Sequence, residues 1–435
     1  MYSEGEFIQT SYLDNIRVLS FFLKRDTWET LTKCDVLLIC HDNDRGYLYD
    51  SKQYAQYLDS FGELLRKHGL KTESVAKPFS RYIGDTSYGN PVSINRVRLK
   101  ILLESLIFNF LGISNTNGSW GDEFKLEKLW MKVIQKSNPK ALICIQPEKS
   151  LCRAGRALNV PTYDLQHGVI DDDNPFYGEK YKSNDKKSNH PQGFLCWNEL
   201  SASVIRKWTS ETKITVDVVG NPWLDRFIKP KSGDNLVQQG LSNQFFMKTE
   251  RPTIVVSLHR ALQRKFSKNN PDSLKAIRAL ELTIQATGSK YNWLLRLHPV
   301  QLNGSQSKVV KKYLNKMYGR IDNVEWEQSS LLPLPLILSW ADLHITHHSS
   351  VTIDASLLGV QTALIAPYIF SNNRYPELFK TERKQGTAQI VPSDHLMIEN
   401  WIETKLGEGT KKLKPYDYVD NSTENKYLNF IGRIQ

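Results

Sequence analysis

The chain has 435 residues, 40% of them hydrophobic, with 57 lysines and arginines against 46 aspartates and glutamates, a formal charge of +11. That length makes a single domain unusual and allows two α/β domains with a core each, while the charge suits an anionic partner or an acidic lipid surface. Cys34, Cys40, Cys144, Cys152 and Cys196 form no CxxC pair, which argues against a zinc knuckle or a disulfide framework and for a reducing compartment.

The first residues, Met1-Tyr2-Ser3-Glu4-Gly5-Glu6, lack the basic and apolar segments of a signal peptide, and no stretch reaches the length of a membrane span. A cytoplasmic protein is expected, with the cytoplasmic membrane face as a peripheral docking surface. Phe21, Phe22 and Trp28 suggest a short leading helix. Cys34-Asp35-Val36-Leu37-Leu38-Ile39-Cys40 then reads as a buried strand that opens onto His41-Asp42-Asn43-Asp44-Arg45-Gly46. Ligands gather at the carboxyl ends of strands in open parallel sheets, so Asp42 and Asp44 are candidates for acid–base work, with His41 and Arg45 beside them. The competing reading is a polar turn, since Asn, Asp and Gly are ordinary turn formers.

A helix from about Lys52 to Lys67 and a strand from Thr72 to Ala76 complete a half-unit. Helices are expected over about Ile94–Phe110 and Phe124–Lys136, and a strand over Ala141–Ile145 with Gln146-Pro147-Glu148 at its tip. After a helix, the strand Thr162–Leu165 leads to Gln166-His167-Gly168, where His167 stands poised and Gly168 permits close backbone approach. Phe194–Trp197 and Val216–Pro222 continue the rhythm. Periodicity fades between about Phe227 and Arg251, which marks a linker.

Beyond it, strands are expected at Thr253–Leu258, Asn292–Leu297, Val324–Trp326, Asp342–Thr346 and Thr362–Ile365, with helices at Ser273–Gln285 and Gln306–Met317. The loop after the first of these strands is basic and carries His259 and Arg260. The second strand ends on Arg296-Leu297-His298-Pro299, where Pro299 has no N–H for a ladder and fixes His298 at a strand tip. After the fourth strand, Ser349 and Ser350 stand at the N-cap of a helix whose apolar face is Val351, Ala355 and Leu358. Unpaired N–H groups and a partial positive charge at a helix N-terminus, with Arg296 and His298 nearby, would make a phosphate or diphosphate cradle. The alternative is that one serine caps the helix and His298 is a surface residue before a turn.

These elements together resemble a GT-B-type glycosyltransferase of bacterial surface polysaccharide assembly. The resemblance rests on Leu165-Gln166-His167-Gly168, Val219-Gly220-Asn221-Pro222-Trp223-Leu224-Asp225, Arg296-Leu297-His298-Pro299 and the serine pair before Gly359 and Pro367, and it spans roughly residues 140 to 367. The chain is similar to capsule polysaccharide transferases, to bacterial sialyl- and polysialyltransferases with their His-Pro and Ser-Ser motifs, and to CDP-glycerol polymerases of teichoic acid. The resemblance implies two Rossmann-like domains facing across a cleft, the C-terminal one holding a CMP-, UDP- or GDP-sugar and the N-terminal one holding a glycan or lipid-linked glycan acceptor.

In that scheme His298 contacts the donor phosphate, Ser349 and Ser350 hold it with Thr352 alongside, and Asp354 lies near the ribose or base. His259, Arg260 and Arg296 complete the donor side, and His41, Arg45, Gln166 and Gly168 the acceptor side. The catalytic base is Asp42, Asp44 or His167. The acidic-acidic-glycine motif of the sialyltransferases is matched loosely by Asp42-Asn43-Asp44-Arg45-Gly46, and UDP-N-acetylglucosamine 2-epimerases carry paired glutamates where this chain has the lone Asp354.

No cofactor, resident metal or nucleic-acid partner is expected, although Asp171-Asp172-Asp173 is an acidic run; the inner-membrane surface and polysaccharide-assembly proteins are the partners implied. The expected domains are 1–230, a linker at 231–251, 252–410, and a tail at 411–435 that packs back on the first domain. The alternatives are a CDP-alditol phosphotransferase, a UDP-sugar 2-epimerase-like enzyme and a non-enzymatic sugar-binding protein.

Overall fold

A computed structural model describes residues 26–110, 119–172, 174, 176–178, 187–242, 250–258, 271–298, 301–302, 307–370, 375, 377–409 and 422–435. Two compact units emerge: Met1–Trp223 with Asn421–Gln435, and Leu224–Asp420. Each is a six-stranded, wholly parallel sheet with helices on both faces, so both are Rossmann-like.

The first sheet contains β1 (Val36–Cys40), β4 (Thr72–Ala76), β5 (Ala141–Cys144), β6 (Thr162–Leu165), β7 (Gly193–Cys196) and β8 (Thr215–Val218), in the order β4-β1-β5-β6-β7-β8. Every residue of β1 is buried, as a strand covered on both faces requires. Leu37 and Ile39 meet the core formed with Leu126, Trp130 and Leu151, whereas Val36, Leu38 and Cys40 meet Leu58, Phe61 and Leu65 of the Gln56–Lys67 helix. Phe430, Ile431 and Ile434 of the Ser422–Ile434 helix complete this second face.

A small hairpin, β2 (Tyr47–Tyr49) and β3 (Lys52–Tyr54), precedes the Gln56–Lys67 helix. It replaces the start of the helix expected from Lys52. Asp50 and Ser51 both adopt positive φ, 49° and 60°, the geometry that lets a two-residue turn follow the twist of its strands.

The second sheet contains β9 (Thr253–Ser257), β10 (Asn292–Arg296), β11 (Val324–Glu325), β12 (Leu343–Thr346), β13 (Gln361–Leu364) and β14 (Ala388–Ile390), ordered β11-β10-β9-β12-β13-β14. Ile254 and Val256 face a core with Trp293, Leu295 and Ile345, and Val255 faces one with Leu294, Ile337 and Ala355. Two expectations change here. The stretch read as linker contains the Asn235–Ser242 helix, which buries Leu236, Val237 and Gly240, and Pro222 opens the Pro222–Ile228 helix rather than closing a loop. The short β14 has no counterpart among the expected strands.

Among the described residues no helix is long and apolar enough to cross a membrane. The five cysteines are buried and free of disulfides.

Candidate functional site

In an open parallel sheet a ligand crevice forms where successive connections leave a strand in opposite directions, because the two loops part there. In the first unit β4 lies on one side of β1 and β5 on the other, so the crevice falls between the loops after β1 and β5. In the second, β10 and β12 flank β9, so it falls between the loops after β9 and β12. Both positions coincide with loops whose residues carry chemistry in the sequence.

In the first unit, Asp42–Asp44 forms a single 3-10 turn capped by His41. The His41 N–H donates to Asp44 Oδ2 at 3.1 Å, and the Asn43 N–H donates to His41 Nδ1 at 3.2 Å. Asp42 is buried, and its carboxylate accepts from Arg81 N at 2.8 Å, Arg81 Nε at 3.2 Å and Tyr82 N at 3.2 Å. A carboxylate so fully engaged anchors the turn. Arg45 is also turned inward: its Nη1 donates to Gln53 O at 3.0 Å and Asp59 Oδ2 at 3.1 Å, both side chains of that ion pair being almost wholly buried.

Gln166 is buried and clamps the neighbouring loop. Its Nε2 donates to Gly168 O at 2.8 Å and Ser201 Oγ at 3.0 Å, and its Oε1 accepts from Trp197 N at 2.8 Å. A Cβ added at Gly168 would touch nothing, so the loop leaves open space there. His167, carried by this clamp, has a buried Nδ1 without a hydrogen-bond partner. Burial lowers its pKa, Asp44 raising and Lys77 further lowering it, so the neutral ring is favoured. Burial likewise lowers the pKa of His41 against the pull of Asp42 and Asp44, with Lys77 lowering and Glu148 raising it.

Four residues that motif reading did not single out join this cluster. Lys77 follows β4 directly, and its Nζ donates to Ile145 O and Gln146 O, each at 2.6 Å. Gln146 is left-handed, with φ of 48°, a conformation that costs free energy in a residue with a side chain. Its N–H donates to Asp164 Oδ1 at 2.9 Å. Burial lifts the Asp164 pKa to about 7. Glu148 begins the helix after β5 and keeps a buried Oε2 without a partner. An acid within an otherwise apolar strand, Tyr163-Asp164-Leu165, is a signal the sequence did offer.

In the second unit the strand ends are level: Arg296, Ser257, Thr346 and Leu364 are register partners across β10, β9, β12 and β13. His344 lies wholly buried beneath them, its Nε2 2.9 Å from Ser257 Oγ and its Nδ1 3.0 Å from Thr362 Oγ1, and burial holds its pKa down at about 3. Thr346 Oγ1 donates to Ser257 O at 3.1 Å. This polar layer fixes the platform for the Ser349–Ser350 turn.

Ser350 occupies the N-cap of the Val351–Leu357 helix but its side chain makes no capping bond, and Ser349 Oγ accepts only a long 3.4 Å bond from Val351 N. Thr352 instead turns its hydroxyl back to Ser349 O at 2.8 Å. The serine hydroxyls are therefore not consumed by capping. Burial raises the Asp354 pKa to about 7, opposed by Arg296. Arg296 Nη1 donates to Ser329 O and Leu332 O, tying its strand to the Gln328–Leu331 helix.

His298 ends the described part of its loop, its N–H donating to Gln301 Oε1 at 2.8 Å while its carbonyl accepts from Gln301 N at 2.7 Å. His259, Arg260, Pro299 and Asp173 lie outside the described residues.

No protein-family model and no curated protein matches the chain. Solved structures do. The UDP-GlcNAc 2-epimerase from Neisseria meningitidis bound to UDP-GlcNAc is 14% identical with a TM-score of 0.54, over 92% of this chain and 99% of that one. The Methanocaldococcus jannaschii UDP-GlcNAc 2-epimerase in complex with UDP-GlcNAc and UDP is 13% identical with a TM-score of 0.54, over the same shares. A wall teichoic acid polymerase TagF structure soaked with CDPG is 12% identical with a TM-score of 0.56, over 97% of this chain and 95% of that one. At such identities the likeness speaks for architecture: the chain has two Rossmann-like units of the GT-B type.

Proposed function

We propose that the chain is a glycosyltransferase that moves a sugar from a nucleotide-activated donor to a surface glycan or lipid-linked glycan. The observation that carries this reading is the position of two chemically distinct loop sets at the two crevices of the sheets: titratable groups in the first unit, and the Ser349 and Ser350 hydroxyls after β12 in the second. His167 Nδ1 and Glu148 Oε2, buried without partners beside the first crevice, are atoms that a substrate hydroxyl could engage.

In this reading Ser349, Ser350 and His298 hold the donor phosphate, and Arg296 adds positive charge while bracing the strand end. Asp44 or His167 takes the proton from an acceptor hydroxyl as its oxygen bonds to the sugar carbon. The bond from that carbon to phosphate breaks, and its electron pair leaves with the phosphate, where the hydroxyls and positive groups stabilise it. Asp42 holds the loop in shape. No metal ion is needed for these steps.

The same cradle suits transfer of an alditol phosphate from a CDP-alditol, a second reading supported by the whole-chain likeness in fold to a teichoic acid polymerase.

The test begins with thermal unfolding in the presence of CMP, CDP, UDP and GDP. One of them should stabilise the protein, by about 2.7 kcal/mol at a hundredfold excess over Kd. His298→Ala should abolish that rise. Asp44→Asn or His167→Ala should then abolish turnover with the matching sugar donor and leave the thermal rise intact. If no nucleotide stabilises the wild-type protein, the donor site is elsewhere or absent. Turnover of a nucleotide sugar without any acceptor would identify an epimerase instead.

A further inference from the structure

The geometry points to Lys77 as a positioning residue that straps the end of β4, across β1, to the turn after β5 and carries the positive charge around which the acid–base groups of the first crevice are arranged. The inference rests on the acid–base role proposed for this crevice but can be tested without any activity.

The strap is visible in its bonds. The backbone N–H of Lys77 donates to Cys40 O at 2.9 Å, which fixes the residue beside the end of β1. From there the side chain reaches over to Ile145 O and Gln146 O. Since β4 and β5 flank β1, this one side chain spans three strands at the point where the connections diverge. Two of its three N–H groups are used on carbonyls, and the left-handed Gln146 they hold is pinned from the other side by Asp164.

Glycine would adopt that backbone at no steric cost; with glutamine there, the bonds from Lys77 and to Asp164 hold the conformation in place. Glu148, two residues on, is thereby aimed from the start of its helix.

The electrostatic arrangement follows from the same placement. Burial opposes the charge on Lys77, but Cys144, Asp44, Glu148 and Asp164 outweigh it and hold the lysine pKa above its usual value. In return Lys77 lowers the pKa of His41, His167 and Asp164. The charged groups acting on His167 are Asp44 and Lys77, with the Tyr177 ring edge-on 6.5 Å away, and those acting on His41 are Asp42, Asp44, Lys77 and Glu148. Lys77 is thus the cation common to both histidines. Without it, burial alone would oppose the pull of Asp44 on His167, and the ring would take up a proton, and so lose its capacity as a base, at a higher pH than with the lysine in place.

The experiment is NMR titration of the histidine rings in the full chain, with the His167 and His41 signals identified by their loss in His167→Gln and His41→Gln. In Lys77→Met and Lys77→Gln the His167 midpoint should rise by about half a pH unit or more, the scale on which one nearby charge acts. In Lys77→Arg it should stay near the wild-type position.

Unmoved midpoints in a folded neutral variant would overturn the inference. Lysine ¹⁵Nζ spectra of the wild-type protein give a test that needs no variant. The Lys77 ammonium protons, held on Ile145 O and Gln146 O, should exchange with water more slowly than those of exposed lysines, and exchange as fast as theirs would show that the strap is not formed. If the protein also turns over a nucleotide sugar, the acidic limb of its pH profile should move to higher pH in Lys77→Met. Absence of turnover with shifted histidines would sink the proposed reaction and leave the strap standing.

Discussion

Asp164 allows a stability argument to be worked through in numbers. Its carboxyl, 4% exposed within β6, titrates at about 7 instead of the ordinary 3.8, because burial penalises the charged form more than the Gln146 N–H, Lys77 and Tyr177 favour it, and Asp44 adds to the rise. In the unfolded chain the group has its ordinary value. Between about pH 4 and pH 7 the folded protein therefore holds a proton that the unfolded protein has released. The stability this confers is fully present below about pH 4, is lost as pH rises to about 7, and changes no further above that.

A rise of about three pH units in the titration amounts to about 4 kcal/mol. Asp164→Asn preserves shape and the acceptor for Gln146 N–H but cannot ionise. Urea unfolding should find variant and wild type close together near pH 4 and the variant more stable by about 2 to 4 kcal/mol at pH 8. Curves for the two proteins that run parallel from pH 4 to pH 8 would refute the reasoning, and would mean that Asp164 ionises in the folded state as easily as in the unfolded one.

Two further substitutions separate structure from function. Arg45→Met should destabilise the protein by about 3 to 5 kcal/mol in the same assay, because it strands the buried Asp59 carboxylate without its partner; unchanged stability with lost turnover would instead place Arg45 on the acceptor. Replacing both Ser349 and Ser350 with Ala should cost less than about 1 kcal/mol, since neither hydroxyl makes a normal capping bond, while weakening nucleotide binding measured by calorimetry. Unchanged affinity would remove the serines from the donor site.

Most strands of both sheets were legible because covered parallel strands are centred on short apolar runs, as in Val36–Cys40 and the Ile254-Val255-Val256 centre of β9. β14, Ala-Gln-Ile, is too short and too polar to announce itself, and it forms because β13 offers an edge to pair with. Asn235–Ser242 read as linker because its polar residues outnumber Leu236 and Val237, and its burial comes from packing.

At the candidate site, the loops were legible and the sheet order was not. His41, His167 and the serine pair follow apolar runs and can be read locally. Lys77 acquires its meaning only from the fact that β4 and β5 both border β1, which no local pattern encodes. The inward turn of Arg45 depends on Asp59, in the helix after the hairpin that the sequence reading did not expect.

The excursion of the chain from Trp223 to Asn421 bears on how the first unit is made. Phe430, Ile431 and Ile434 finish the face that Val36, Leu38 and Phe61 begin, yet the whole of Leu224–Asp420 is synthesised between them. During translation the first sheet must wait with one face incomplete, and it is more exposed to aggregation in that interval. Closing so long a loop is entropically costly while the insert is unfolded, and becomes cheaper once the insert has collapsed into a unit of its own. Substitutions that slow folding of Leu224–Asp420 should therefore lower the yield of the first unit even when they touch none of its residues, a coupling exerted by chain connectivity during biosynthesis.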